Sequence, residues 1–185
     1  NIMKKDIRIL FTDLDGTLLN DQKEITPETQ KAIDQALAAG HKIVVTTGRP
    51  LASGLTCAEK AGLVKEGCYV IAFNGGQIYD PFHKKTIYGQ TIPKEIARDI
   101  FREAVKRNLY IQSYSDTHVL TLKEGPELTR YVGGTGQPYQ VVKTVEEAVP
   151  QDPYKILAIS LDDRPGEERF RKEVLEPMAG KINGF

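Results

Sequence analysis

Three short runs rich in β-branched and aromatic residues, 7–12 (IRILFT), 41–46 (HKIVVT) and 69–73 (YVIAF), alternate with two helical segments, and this order constrains the fold most. Near-continuous apolar runs of that length read as strands buried on both faces of a parallel sheet. Between the first two, Thr26 suits an N-cap, Pro27 the first helical position and Glu28 the first turn. Ile33, Ala36 and Leu37 then share one face up to a stop at Gly40. Residues 51–61 read as a second helix. Strand, helix, strand, helix, strand with short links demands right-handed crossovers between parallel strands. The expected class is therefore α/β, with an open, doubly wound, Rossmann-like sheet.

After Asn74-Gly75-Gly76 the pattern changes. Residues 77–79 and 86–91 read as a hairpin around Asp80-Pro81, and 93–107 as a helix carrying Ile96, Ile100, Phe101 and Ala104 near one face. Strands at 110–114 and 117–122, a short helix at 127–132, a strand at 155–161 and a helix at 166–178 complete an α+β unit. Gly133-Gly134-Thr135-Gly136 reads as a loop, since no nucleotide-binding glycine spacing follows a strand there. The expected division is 3–76 and 77–185.

Lysine plus arginine equals aspartate plus glutamate at 25 each, so no net field draws the molecule to nucleic acid or an anionic membrane. No apolar run approaches the roughly 18–20 residues of a transmembrane helix, and the cytoplasm is the default compartment. Met3 before two lysines reads as a natural start, leaving Asn1 and Ile2 outside the functional argument. Cys57 and Cys68 are too few for a disulfide framework, and His41, His83 and His118 have no zinc spacing.

In an open parallel sheet, ligands bind beyond the carboxyl ends of the strands, where Asp13, Thr47 and Asn74 all fall. Successive residues of an extended segment point to opposite sides, so Asp13 and Asp15 can face one side roughly 6–7 Å apart, with Leu14 turned away. At that distance two like charges repel by about 2 kcal/mol at an effective dielectric near 20. A divalent cation reverses the sign, and hard oxygen donors without His or Cys suit Mg²⁺ with a phosphate ester. Gly16 lets backbone N–H groups approach an anion, and Thr17 adds a hydroxyl. One ionised acid can attack phosphorus while the second moves protons. An Asp-x-Asp-Gly after a strand is also an ordinary polar turn. Thr47-Gly48-Arg49 at the next strand end weighs for the site, with a hydroxyl, a backbone N–H and a guanidinium where an anion needs them. The site reading fails if the two acids are splayed apart, or tied to lysine or arginine with no room for an anion.

Residues 11–17 (FTDLDGT), 45–50 (VTTGRP) and 72–76 (AFNGG) resemble the motifs of the haloacid dehalogenase superfamily, in particular its Cof-type sugar-phosphatase branch with a large α/β cap. The resemblance implies that Asp13 is nucleophile and Mg²⁺ ligand. It implies that Asp15 is the general acid/base and gives the metal its backbone carbonyl. Thr47, with the backbone of Gly48 and the N–H of Leu14, corresponds to phosphate-binding groups; Arg49 and Asn74 lie where such proteins place groups near the substrate or the cap hinge. The implied substrate is a small phosphorylated metabolite such as a sugar phosphate, hydrolysed through an aspartyl-phosphate.

Such proteins return from the cap to the core and add a phosphate-binding lysine and an acidic metal motif. The chain as given stops at Phe185, in cap territory, and Lys181 is not expected to substitute. An incomplete core, and an exposed apolar edge beside the Asp13 strand that invites self-association, are therefore expected. Two other readings stay open: a catalytically impaired or non-catalytic phosphate- or metal-binding remnant, and a phosphoacceptor receiver domain, against which Gly16-Thr17 and the α/β insertion count.

Overall fold

A computed structural model describes residues 6–182, which divide into two compact units meeting at Gly89 and Gln90. In the first unit, β1 (Ile9–Asp13), β2 (Lys42–Thr46) and β3 (Tyr69–Ala72) pair in parallel, and β4 (Gln77–Asp80) and β5 (Lys85–Gly89) extend the sheet antiparallel in the order β1-β2-β3-β4-β5. Helices α1 (Pro27–Ala38) and α2 (Leu51–Lys60) make the two parallel crossovers. The Thr26 hydroxyl accepts the N–H of Thr29 and Pro27 opens α1, as the sequence signals require. Ile43 and Val45 of β2 and Val70 of β3 share a cluster with Ile33 of α1 and Ala58 of α2. The α/β class and the parallel, Rossmann-like core agree with the sequence.

Two expectations change. The sequence pattern assigns the hairpin of β4 and β5 to the second unit, but β4 pairs with β3, Val70 opposite Tyr79, so the break moves from after Gly76 to after Gly89. β1 is not buried on both faces: Ile9, Leu10 and Phe11 are 55%, 58% and 60% exposed, because β1 lies at the sheet edge with β2 as its partner. The expected exposed apolar edge is present among the described residues.

In the second unit, β6 (Tyr110–Tyr114), β7 (Val119–Thr121), β8 (Tyr139–Val141) and β9 (Leu157–Ile159) form a sheet in the order β8-β7-β6-β9. Its core joins Ala97, Ile100, Phe101 and Ala104 of α3 (Lys94–Lys106), Ile111 of β6, Ala148 of α5 (Val145–Ala148) and Phe170 of α6 (Arg164–Phe170). The strand expected over 155–161 shrinks to three residues. Gly133, Gly134 and Thr135 are not loop but the last turn of α4 (Pro126–Thr135), ended by Gly136 at φ 66°. The helix expected over 166–178 is α6 continued by a wider π-type turn, Arg171–Leu175, and a 3-10 turn, Glu176–Met178.

Candidate active site

Parallel register sets Asp13 opposite Thr46, and Thr46 opposite Ile71, so the segments after β1, β2 and β3 all leave the sheet at the carboxyl end of these strands. After β1 the chain makes a compact turn: Leu18 N–H donates to the Asp13 carbonyl (3.2 Å) and Leu19 N–H to that of Leu14 (2.8 Å), with Gly16 at φ 71°. Leu14, Leu18 and Leu19 are buried in the core, while Asp13 and Asp15 are exposed on either side of Leu14 in sequence. The leucines hook the turn to the core and the acids are left outside.

The other two loops are laced together. Thr47 N–H donates to the Ile71 carbonyl (2.8 Å), Phe73 N–H to that of Arg49 (3.0 Å) and Asn74 N–H to that of Thr47 (3.2 Å). The Thr47 hydroxyl accepts the Arg49 N–H at 3.1 Å, and Thr47 is buried. Asn74 adopts a left-handed conformation, φ 57°, with its carboxamide over Gly48: a Cβ at Gly48 would lie 3.1 Å from the Asn74 Oδ1. Glycine is what permits that approach.

Asp15 is the electrostatic centre. Arg49 grips it with two bonds, Nε to Oδ2 at 2.8 Å and Nη2 to Oδ1 at 2.5 Å, and Nη1 of the same guanidinium reaches the Ser53 hydroxyl at 3.2 Å. Lys23 Nζ adds a third contact, to Oδ1 at 2.8 Å. Arg49, buried and bonded to Asp15, holds that carboxyl below the usual carboxylate range; partial burial works against it, and Lys23 adds to it. The repulsion between the two acids is thus already offset by two cations of the chain, which corrects the expectation that the site leaves Asp15 to a metal and a phosphoryl group. Asp13 forms no ion pair among the described residues, and its Oδ1 accepts the Leu14 N–H at 2.7 Å. That N–H, expected to meet phosphate, here caps the carboxylate of its neighbour.

The structure therefore brings Asp13, Asp15, Thr47, Gly48, Arg49 and Asn74 to the carboxyl ends of three adjacent strands, and adds Lys23, which sequence reasoning missed. Its signal was faint: a lysine after Asn20-Asp21-Gln22, a polar turn that folds the chain back toward Asp15. Among the described residues, no three His, Cys, Asp or Glu side chains gather to hold a metal. Mg²⁺ asks for less, commonly one or two carboxylates with water and substrate phosphate. The carboxylate of Asp13 suits it, whereas both side-chain oxygens of Asp15 are bonded to cations, so Asp15 fits only through its backbone carbonyl.

The sequence profile of the haloacid dehalogenase-like hydrolases matches residues 10–184. The chain belongs to this family. Among curated relatives, Phosphatase YwpJ of Bacillus subtilis (strain 168) is 32% identical over 122 residues, 66% of this chain and 41% of that protein. The 5-amino-6-(5-phospho-D-ribitylamino)uracil phosphatase YcsE of the same organism is 43% identical over 75 residues, 40% of this chain and 29% of that protein. The matches thus span less than half the length of these relatives. A solved haloacid dehalogenase-like hydrolase from Bacteroides thetaiotaomicron superimposes with a TM-score of 0.88 at 22% identity, over 97% of this chain and 67% of that one, a likeness of fold. No helix of the described residues is long and apolar enough to cross a membrane.

Proposed function

We propose that the protein hydrolyses monoesters of small phosphorylated metabolites, sugar or polyol phosphates foremost, through an aspartyl-phosphate on Asp13. The observation that carries this reading is the pairing of an acid without an ion pair among the described residues, Asp13, with the loop of buried Thr47 and half-buried Gly48 at the same carboxyl end of the parallel strands. The phosphorylated ribityl chain in the name of one relative's substrate supports the substrate class.

In this mechanism a carboxylate oxygen of Asp13 attacks phosphorus, the bond from phosphorus to the ester oxygen breaks, and the departing alkoxide takes the proton of Asp15 in its carboxylic acid form. Water then attacks the phosphorus of the aspartyl-phosphate and loses a proton to Asp15, releasing inorganic phosphate and restoring the Asp13 carboxylate. As gripped by Arg49 and Lys23, Asp15 is a carboxylate suited to that second half; donating to the leaving oxygen in the first half requires it to shed those cations. Thr47 and the Gly48 N–H bind phosphate oxygens, and Arg49 orients Asp15. The Asp13 carboxylate and the Asp15 backbone carbonyl would hold Mg²⁺, which would supply charge neutralisation for the phosphoryl group.

Asp13→Asn is expected to reduce phosphate release from p-nitrophenyl phosphate to background; unchanged turnover overturns the assignment. The salt-linked state of Asp15 favours one alternative, a remnant that binds phosphate without turning it over. Robust turnover by the 185-residue chain with Mg²⁺ excludes that alternative.

A further inference from the structure

We propose that Lys23 is a substrate-contacting residue, its ammonium leaving Asp15 to take an oxygen of the phosphoryl group. The inference rests on the phosphatase reading above and names a residue that no motif of the sequence singled out.

Lys23 and Arg49 share one acceptor, the Oδ1 of Asp15, at 2.8 and 2.5 Å. Two cations on one oxygen repel each other, and they are not held alike. Arg49 is fixed by two bonds to Asp15 and one to Ser53, and its side chain is 10% exposed. The Lys23 side chain is 49% exposed and its ammonium has this single ion pair among the described residues. An exposed pair of that kind is weak, because water screens it and the flexible stem loses freedom in holding it. Lys23 is the cation that moves.

Its backbone does not move with it. Asn20 closes the turn from both sides: its N–H donates to the Glu24 carbonyl (2.9 Å), its carbonyl accepts the Lys23 N–H (2.9 Å) and its Oδ1 accepts the Glu24 N–H (2.8 Å). The turn presents a tethered ammonium at Asp15, the acid two residues along the chain from Asp13. A phosphate monoester arriving at Asp13 brings about two negative charges to a group already carrying two acids and two cations. The ammonium then gains more from the dianion than from one oxygen of a carboxylate that keeps Arg49. Lysine binds phosphate as a point charge and needs no fixed fork, so it tolerates the change of partner.

The test measures inorganic phosphate binding to the intact chain by ³¹P NMR titration with MgCl₂ present, alongside KM and kcat for p-nitrophenyl phosphate. Lys23→Gln is expected to weaken phosphate binding and raise KM by roughly tenfold. Lys23→Arg is expected to keep both near wild type, with unchanged thermal melting in each variant. Unchanged phosphate affinity in Lys23→Gln, with or without a fall in kcat, overturns the proposal, since the lysine then acts only through Asp15. Absence of phosphate binding by the wild-type chain overturns it as well. If Asp13→Asn keeps full turnover while Lys23→Gln still weakens phosphate binding, the nucleophile assignment fails and the lysine contact stands.

Discussion

β1 and β6 are both five-residue strands, and they are held in place by opposite means. β1 is an edge strand whose Ile9, Leu10 and Phe11 are more than half exposed; β6 lies between β7 and β9 with every residue buried. One face of β6 carries a polar chain: the Tyr110 hydroxyl donates to Gln112 Oε1 (2.8 Å), Gln112 Nε2 to the Tyr114 hydroxyl (3.0 Å), and that hydroxyl to Tyr131 of α4 (3.0 Å). Its other face packs Ile111 against α3 and lets the Ser113 hydroxyl donate to the Ala148 carbonyl. β1 bears the candidate chemistry yet is fixed mainly past its own end, where Leu14, Leu18 and Leu19 enter the core. The strand that carries the acids is anchored by leucines beyond its tip, and the structural strand by the layers packed over it.

The largest expected contrast lies in matched truncations. Ile111→Ala, in the core of the second unit, should lose about 2–5 kcal/mol by burial and cavity terms. Leu10→Ala should stay within about 0.5 kcal/mol, as exposed substitutions do. Urea unfolding of both variants checks the pair. A loss in Leu10→Ala comparable with that in Ile111→Ala would mean that something covers β1 in solution, and the contrast breaks.

The polar chain on β6 gives a smaller effect. Gln112→Leu fills similar space but removes an acceptor from Tyr110 and a donor to Tyr114, both almost fully buried. The expected loss is about 1–3 kcal/mol. Burial first of all pushes the Tyr110 hydroxyl up to about 12 and that of Tyr114 well above its ordinary value, so both face the core as neutral groups. If Gln112→Leu melts with the wild type, the chain is packing without hydrogen-bond content.

Most of this contrast was written in local sequence, and the part that was not is tertiary. The start of α1 at Thr26 and Pro27, the end of β2 at Thr46, the ends of β1 and β3 to within one residue of Thr12 and Phe73, and the core face of α3 come from capping and period alone. The placement of β1 at an edge depends on which strands lie beside it, which periodicity does not contain. Gly133 and Gly134 read as loop because no nucleotide-binding glycine spacing follows a strand there; each glycine weakens a helix by about 1 kcal/mol, yet the turn they complete is continuous with Leu128, whose burial holds α4 down. Thr144 and Glu147 form a capping box, a signal legible in the sequence that went unread, and begin the short α5. Lys23 was hidden because its partner lies back across a turn, so only the folded path brings ammonium and carboxylate together.

The smallest effect concerns the far edge of the first sheet, where β5 is exposed along its whole length, as β1 is along most of its own. There too the fastening is a turn. Asp80 is 4% exposed, and its Oδ1 accepts the N–H groups of Phe82 and His83, both at 3.0 Å, while Oδ2 meets the His83 ring nitrogen at 2.7 Å. The bond from the His83 N–H is the main cause holding this carboxyl below its ordinary range, against a smaller effect of burial. A folded-state value below the unfolded one means that the ionised form stabilises the fold at neutral pH. That contribution must fade as pH falls through the carboxylate range, below about pH 4. Asn at this position can still accept the two N–H groups but cannot ionise. Asp80→Asn should therefore be less stable than the wild type at pH 7, and the gap should narrow toward pH 3, since the other acids titrate alike in both proteins. Urea midpoints for the two proteins at pH 7, 5, 4 and 3 decide it: a constant gap would leave the turn fastened by shape alone, and the two exposed edges would then differ in how they are held.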